Sequence, residues 1–201
     1  MICGLITAAG LSSRMREFKP LLRIGRKTMI EFSVDNMLEG GVDSVMVVLG
    51  YRSDEVKNVL LCDRTRVGRI QYSVNEDYAS TQMLDSIKVG LLQMKKCDAF
   101  FIAPGDMPAI DKRTYELLLA EYQRARSPIL FPTLDGYRKH PPLIDASLID
   151  EILAFDGAGL RAFWEKHEDV IVEIPIDDPG VWMDADYPED FQKIQKYLTQ
   201  K

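Results

Sequence analysis

The chain has few of the residues that cross-link a fold or ligate a metal: three cysteines and two histidines in 201 residues. Cys3, Cys62 and Cys97 are odd in number and lack a C-x-x-C spacing, so neither a disulfide framework nor a zinc site is expected. We expect buried free thiols in a reducing compartment. Because His140 and His167 are the only histidines, a histidine-rich metal centre and a mechanism with two histidines are excluded.

Long apolar runs and an excess of positive charge are also missing. No run approaches the roughly 20 apolar residues that cross a bilayer. The first ten residues are apolar, but they lack a basic start and lead into a glycine turn, which favours a buried strand over a signal peptide. A net charge of -6 argues against nucleic-acid binding as the main function. We expect a cytoplasmic protein with a single domain over residues 1–201.

Short β-rich apolar runs alternate with segments of helical spacing. This alternation predicts an α/β fold of three layers, in which helices cover both faces of a mostly parallel, mixed sheet of Rossmann-like type. In such sheets ligands bind at the carboxyl ends of the strands. The predicted strands are Ile2–Thr7, Ser44–Leu49, Arg69–Val74, Ala99–Ala103, Pro128–Phe131 and Val170–Ile174. The predicted helices are Met29–Leu38, Ser53–Leu61, Met83–Met94, Lys112–Tyr122, Leu160–His167 and one that begins at Pro188.

The first predicted strand leads into a loop of small residues, two serines and two cations. Small residues let the backbone approach a polyphosphate, and N–H groups, hydroxyls and cations bind its oxygens. The pattern is neither a Walker loop nor a G-x-G-x-x-G fingerprint. From spacing alone, a plain glycine turn with two surface cations is as good an interpretation as a phosphate-binding loop. The candidate nucleotide-binding residues here are Ala8, Ala9, Gly10, Ser12, Ser13, Arg14 and Lys19.

Two acidic segments are candidate metal ligands. Asp106 lies in a Pro-Gly-Asp-Met-Pro turn directly after a predicted strand, where a carboxylate could hold Mg²⁺. Asp184 and Asp186 alternate, so in an extended segment they share one face, and either could complete the site. The alternatives are a plain turn for Asp106 and a helix cap for Asp186.

A compact basic patch is the candidate acceptor site. Arg138, Lys139 and His140 are followed by two prolines that stiffen the chain, and a phosphorylated acceptor would find suitable partners there. A solvated charged loop is the alternative. Ser86, near the start of a predicted helix, is either a ligand contact or an ordinary helix-start serine.

These motifs together resemble the MobA-like NTP transferase family, which includes the molybdenum cofactor cytidylyltransferases. The resemblance is carried by Leu5–Gly25, by Gly105–Pro108 and by the closing Asp184–Asp190 segment. It implies that the first loop binds the triphosphate, that Arg14 and Lys19 contact phosphates, and that Asp106 and Asp186 bind Mg²⁺. Several positions depart from the family pattern: Arg16, Gln82 and Lys139 stand where glycine is common, and Tyr187 replaces the common threonine.

The resemblance also implies a reaction. Members with Ala8-Ala9-Gly10 generally use CTP, so the implied activity is transfer of CMP to molybdopterin, followed by delivery of the product to a molybdenum hydroxylase. Another cytidylyltransferase remains open, acting on a sugar phosphate, phosphocholine or methylerythritol phosphate. So does a non-catalytic nucleotide-binding or chaperone-like module, against which the joint presence of Arg14, Lys19, Asp106 and Asp186 argues.

Overall fold

The computed structural model describes residues 1–15 and 17–200, apart from the side chain of Ser13. Within these residues, strands and helices alternate along the chain. The strands are β1 (Ile2–Ala8), β2 (Arg23–Ile24), β3 (Lys27–Thr28), β4 (Ser44–Leu49), β5 (Ile70–Val74), β6 (Ala99–Pro104), β7 (Ile129–Leu134), β8 (Tyr137–Arg138), β9 (Leu143–Asp145) and β10 (Ile171–Pro175). The α-helices are α1 (Met29–Glu39), α2 (Ser53–Leu61), α3 (Met83–Gln93), α4 (Lys112–Ala125), α5 (Ile149–Ala154), α6 (Leu160–Lys166) and α7 (Pro188–Gln200).

The main sheet has the strand order β10-β7-β9-β6-β1-β4-β5, and β8 pairs with β7 outside this path. The pairs β1·β4, β1·β6, β4·β5 and β10·β7 are parallel. Only β8 and β9 pair antiparallel with their neighbours in this sheet. The predicted mostly parallel, mixed sheet is therefore confirmed.

Apolar side chains on both faces of the central strands explain the three layers. In β1, Leu5 packs into a core with α3, α5 and α6, whereas its neighbour Ile6 packs into the core on the opposite face with α1, α2 and α4. Side chains of successive strand residues point to opposite faces, so a strand that is apolar throughout requires cover on both. A third, smaller core includes Met29 and Ala185 and attaches α7 and the β2–β3 hairpin.

Some features differ from the sequence expectations. The strands β8 and β9, the β2–β3 hairpin and the six-residue helix α5 were not predicted, because each is too short to show a periodicity. The expectation of buried thiols is wrong for Cys62, which is exposed, while Cys3 is buried and Cys97 is partly buried. Among the described residues, no helix is long and apolar enough to cross a membrane.

Candidate active site

The predicted site segments meet at one edge of the sheet. The strand β9 is antiparallel to both β6 and β7, so β6 and β7 run in the same direction. The strand β1 is parallel to β6, and β10 is parallel to β7. The carboxyl ends of these four strands therefore share an edge. The closing segment joins it directly, because the backbone N–H of Ala185 donates to the carbonyl of Asp106 at 3.1 Å.

A cleft of about 280 Å³ opens at this edge. Its walls come from the loop after β1, the turn after β6, the start of α3 and the segment before it. A side chain added at Gly10 would meet nothing within 4 Å, so the backbone of the loop is open to a ligand there. The lining residues include Ala8, Ala9, Gly10, Ser12, Arg14, Lys19, Tyr78, Thr81, Gln82, Ser86 and Asp106.

Two cations and two carboxylates form an ion-paired cluster at the cleft, three members of which, Arg14, Lys19 and Asp106, line it. The Nζ of Lys19 lies 3.0 Å from Oδ2 of Asp106 and 3.0 Å from Oδ1 of Asp186. A guanidinium nitrogen of Arg14 lies 2.7 Å from the other carboxylate oxygen of Asp186. The structure thus brings together the four residues that the sequence selected, although they come from segments far apart in the chain.

The pKa shifts in this cluster follow from its contacts. Burial lowers the pKa of Lys19, but the charges and hydrogen bonds of Asp106 and Asp186 outweigh burial and raise it overall. The hydrogen bond from Lys19, followed by the charges of Lys19 and Arg14, holds the pKa of Asp186 below its usual value. Lys19 and Asp186 are therefore both charged at neutral pH, as phosphate and metal binding require.

The carboxylates of Asp106 and Asp186 fit a magnesium ion in kind and number. Among the described residues there is no group of three or more histidine, cysteine or acidic side chains that could hold a metal. Magnesium, however, is commonly bound by one or two carboxylates together with substrate phosphates. Asp106 and Asp186 converge on one cationic nitrogen, so the position between them already favours positive charge.

The other acidic residues of the closing segment lie outside this cluster. Asp184 is exposed, whereas Asp186 is partly buried and faces Lys19. Asp178 is buried and accepts hydrogen bonds from the N–H groups of Asp111 and Gly180, so it holds the turn before Trp182 in place.

The serines of the predicted site have structural partners as well as a place in the cleft. Ser12 adopts a left-handed backbone conformation, with φ of 56°, and its hydroxyl accepts a hydrogen bond from the backbone N–H of Lys19 at 3.1 Å. Ser86 is buried and accepts a hydrogen bond from the amide of Asn75 at 3.0 Å. The side chain of Ser13 and the departure at Arg16 lie outside the described residues.

The basic patch predicted for the acceptor is divided by the structure. The guanidinium of Arg138 pairs with Glu168 at 2.6 Å and with Glu173 at 2.8 Å, which holds it away from the cleft. His140 is partly buried, its Nδ1 has no hydrogen-bond partner among the described residues, and burial lowers its pKa. The charge of Asp106 acts on His140 and opposes this lowering of its pKa.

Two aromatic residues near Lys139 were missed by the sequence reasoning. Trp182 and Tyr137 are both exposed and contact each other, with ring centroids 5.9 Å apart. Their signal in the sequence was weak: one large aromatic residue beside each of the turns already singled out. Nothing local shows that residues 137 and 182 meet.

The fold and the cleft are those of a nucleotidyltransferase. Residues 4–170 match the model of the MobA-like NTP transferase domain, and the chain belongs to that family. It is 27% identical over 199 residues to the molybdenum cofactor cytidylyltransferase of Escherichia coli (strain K12), covering 98% of this chain and 96% of that protein. It is also 27% identical over 201 residues to the nicotine blue oxidoreductase of Paenarthrobacter nicotinovorans, covering 96% of each.

Solved structures agree on the fold. A nucleotidyl transferase from Methanothermobacter thermautotroptrophicus superposes with a TM-score of 0.81 at 24% identity, covering 100% of this chain and 99% of that one. The Mycobacterium tuberculosis protein Rv0371c, solved as a complex with manganese, has a TM-score of 0.73 at 18% identity, with 97% of each chain covered. Because the two full-length relatives carry different names at equal identity, the reaction of this chain must be argued from its site.

Proposed function

We propose that the protein is a Mg²⁺-dependent cytidylyltransferase that transfers CMP from CTP to the phosphate of molybdopterin, giving molybdopterin cytosine dinucleotide and pyrophosphate. The observation that carries the proposal is the ion-paired cluster, in which Nζ of Lys19 lies 3.0 Å from a carboxylate oxygen of Asp106 and 3.0 Å from one of Asp186. The cluster adjoins a cleft lined by the small-residue loop. A polyphosphate needs such an arrangement of cations and metal-ligating carboxylates.

The reaction needs little proton transfer. An oxygen of the acceptor phosphate, already ionised at neutral pH, forms a bond to the α-phosphorus of CTP, and the bond from that phosphorus to the pyrophosphate oxygen breaks. The electron pair and negative charge leave with pyrophosphate. The protein's contribution is therefore positioning and charge neutralisation, with no covalent nucleophile.

Each residue of the cluster has a role in this scheme. Asp106 and Asp186 would hold Mg²⁺, which supplies charge neutralisation at the phosphates when bound. Lys19 and Arg14 pair with the triphosphate and stabilise the negative charge that builds up on pyrophosphate. The backbone of Ala8–Gly10 and the Ser12 hydroxyl face the same cleft and donate to phosphate oxygens. Ser86 also lines the cleft. In this scheme Ser86 would contact the nucleotide, and His140 would contact the acceptor.

Cytosine is the base we assign: Ala9 lines the cleft, and in this scheme its methyl group would occupy room that a larger purine needs. Molybdopterin is the acceptor we assign, since the molybdenum cofactor cytidylyltransferase of Escherichia coli aligns over nearly the whole chain. The reaction would take place in the cytoplasm, with the product passed on to a molybdenum hydroxylase.

Pyrophosphate release tests the proposal. Purified protein is incubated with each of the four NTPs and Mg²⁺, with and without molybdopterin, and Asp106→Asn serves as the inactive control. Release that requires both CTP and molybdopterin supports the assignment. Release that requires a sugar phosphate, phosphocholine or methylerythritol phosphate would show that this compound, and not molybdopterin, is the acceptor. No release with any NTP or acceptor would overturn the transferase proposal and favour a non-catalytic module.

A further inference from the structure

An exposed aromatic cluster lies at the same edge of the sheet as the cleft and has no role in the scheme above. It consists of Tyr137, Lys139 and Trp182. The two rings meet edge to face at an interplanar angle of 69°, and they are 63% and 47% exposed respectively. Two large aromatic side chains held together in solvent expose a costly apolar surface, which in a folded protein commonly marks a binding site.

The cluster shares the sheet edge of the active site. Tyr137 and Lys139 lie at the hairpin that follows the carboxyl end of β7, and Trp182 lies in the turn that follows β10. This turn is anchored on the Asp106 side, because a side chain at Gly180 would overlap the carbonyl of Ala109. Trp182 therefore belongs to the same closing segment as Asp186, and Tyr137 and Lys139 reach it from the hairpin after β7.

Lys139 covers the indole of Trp182. Its Nζ lies 2.8 Å from the centroid of the Trp182 ring and 5.7 Å from that of Tyr137. Among the described residues it forms no salt bridge. Burial lowers its pKa, and only the more distant charge of Asp184 opposes this. A partly desolvated ammonium with no carboxylate at hydrogen-bonding distance gains free energy when an anion arrives.

We infer that this aromatic cluster binds the acceptor substrate, that Trp182 stacks against a planar nitrogen heterocycle, and that Lys139 leaves the indole face to pair with the acceptor's phosphate. The inference rests on the proposed function and narrows its acceptor class. Stacking on an exposed indole selects flat rings with little regard to their substituents.

The lysine also argues against the other acceptors. The face of an aromatic ring attracts cations, and aromatic cages bind quaternary ammonium groups. Phosphocholine carries a phosphate as well as a quaternary ammonium. Lys139 lies 2.8 Å from the centroid of the Trp182 ring, so when it pairs with that phosphate it stays close to the indole and disfavours a second positive charge there relative to a neutral flat ring. A sugar phosphate would satisfy Lys139 but has no flat ring to stack on Trp182.

Calorimetric titration of purified protein tests the inference without relying on turnover. The probes are 6-hydroxymethylpterin phosphate, 6-hydroxymethylpterin, phosphocholine and glucose 1-phosphate. Trp182→Leu should weaken binding of the pterin phosphate by about tenfold or more, whereas Trp182→Phe, which keeps a flat ring, should weaken it much less. Lys139→Met should weaken binding of the phosphorylated pterin but not of the unphosphorylated one.

The matched control is Lys166→Met. Lys166 also places its ammonium over an aromatic ring, 4.7 Å from the centroid of Phe155, but in α6, away from the cleft. It should leave every probe's affinity unchanged. CTP affinity should stay within about twofold in all these variants, which shows that they fold.

Two results would overturn the inference. One is unchanged affinity for the pterin phosphate in Trp182→Leu; the other is tighter binding of phosphocholine or glucose 1-phosphate than of the pterin probe. Failure of the proposed function has a different signature: pterin binding would depend on Trp182 as expected, while no NTP yields pyrophosphate.

Discussion

The ammonium of Lys19 lies 3.0 Å from a carboxylate oxygen of Asp106, although 87 residues separate them. Lys19 follows the loop after β1, and Asp106 lies in the turn after β6, two strands that are neighbours in the sheet. The contact therefore closes one loop onto the other and, through Asp186, onto the closing segment as well. This arrangement already has the charges in place for a polyphosphate.

The carboxylates can be tested separately. Asp106→Asn and Asp186→Asn should each lower turnover by about 10² or more, the order of loss when a principal electrostatic stabiliser is removed. Both variants keep the size of the side chain, and both carboxylates are partly exposed, so the melting temperature should change little. Steady-state pyrophosphate release and a thermal melt on the same preparations make the comparison.

Asp184→Asn is the matched control, because Asp184 is exposed and lies two residues from Asp186 but outside the ion-paired cluster. Its turnover should fall much less. If Asp184→Asn lowered turnover more than Asp186→Asn does, Asp184 and not Asp186 would be the metal ligand. Near-normal turnover in Asp106→Asn would remove Asp106 from the metal site.

Lys19→Ala tests the triphosphate role. The substitution removes a cation from the phosphates and leaves Asp106 and Asp186 facing each other without the charge between them. We expect kcat/KM for CTP to fall by about 10² or more, with a smaller effect on KM for the acceptor. Lys27→Ala is the control, since Lys27 also forms an ion pair, 2.7 Å from Asp35, but outside the cleft. Equal damage to both substrates would mean that Lys19 bridges them.

His140 predicts a pH effect on stability. Its pKa lies below 6.5 in the folded chain because burial disfavours the imidazolium. Below about pH 6.5 the unfolded chain binds a proton that the folded chain does not, so the folded state loses stability as pH falls through this window. The free energy of unfolding of the wild type should therefore decrease more steeply from pH 7 to pH 5 than that of His140→Gln.

Urea unfolding at several pH values measures this slope. His167→Gln, which replaces the other histidine, shows how much of the change in slope is specific to His140. A wild type and a His140→Gln variant with parallel pH profiles would show that His140 titrates normally. An NMR titration of the two histidines would then give its pKa directly.

The sequence predicted the fold well because its signal is repeated along the chain. Central strands such as β1 and β4 are largely apolar, and segments of helical spacing recur between most of the strands, so no single error changes the architecture. The cluster residues were also predictable, since Asp106 stands directly after β6, and Lys19 and Asp186 lie in the segments that follow β1 and β10, where parallel strands bring their loops together.

Pairings made only by the tertiary structure were not predictable. Arg138 looked like an acceptor ligand beside His140, but it is neutralised by Glu168 and Glu173, 30 and 35 residues further along the chain. The meeting of Tyr137 with Trp182 depends in turn on the pairing of β7 with β10, which no local pattern reveals. Long-range contacts thus decide which charged residues are free for a ligand.

The last prediction concerns the choice of base. Ala9 is buried and lines the cleft, and its backbone is held by its neighbours: its carbonyl accepts a hydrogen bond from Tyr51 at 3.3 Å, and a side chain at Gly50 would lie 2.6 Å from the same carbonyl oxygen. Removing the Ala9 methyl group should therefore widen the cleft without moving the loop. Ala9→Gly should raise the rate with GTP and leave the rate with CTP within about tenfold, or up to about 1.4 kcal/mol.

Ala8→Gly is the matched control for that variant. Ala8→Gly also removes a single methyl group, one residue earlier in the chain. Ala8, however, belongs to the core on the α1 side, and its Cβ faces Gly105. It should lower stability without changing the preference for CTP. The measurement is a competition assay with CTP and GTP present together, because a steric barrier alone gives a preference of limited size and some GTP use by the wild type is expected. A wild type that prefers GTP or ATP would refute the cytidylyl assignment and leave the nucleotidyltransferase assignment intact. If Ala8→Gly shifted the preference towards GTP as much as Ala9→Gly does, then loop flexibility, and not the Ala9 methyl group, would determine the choice of base.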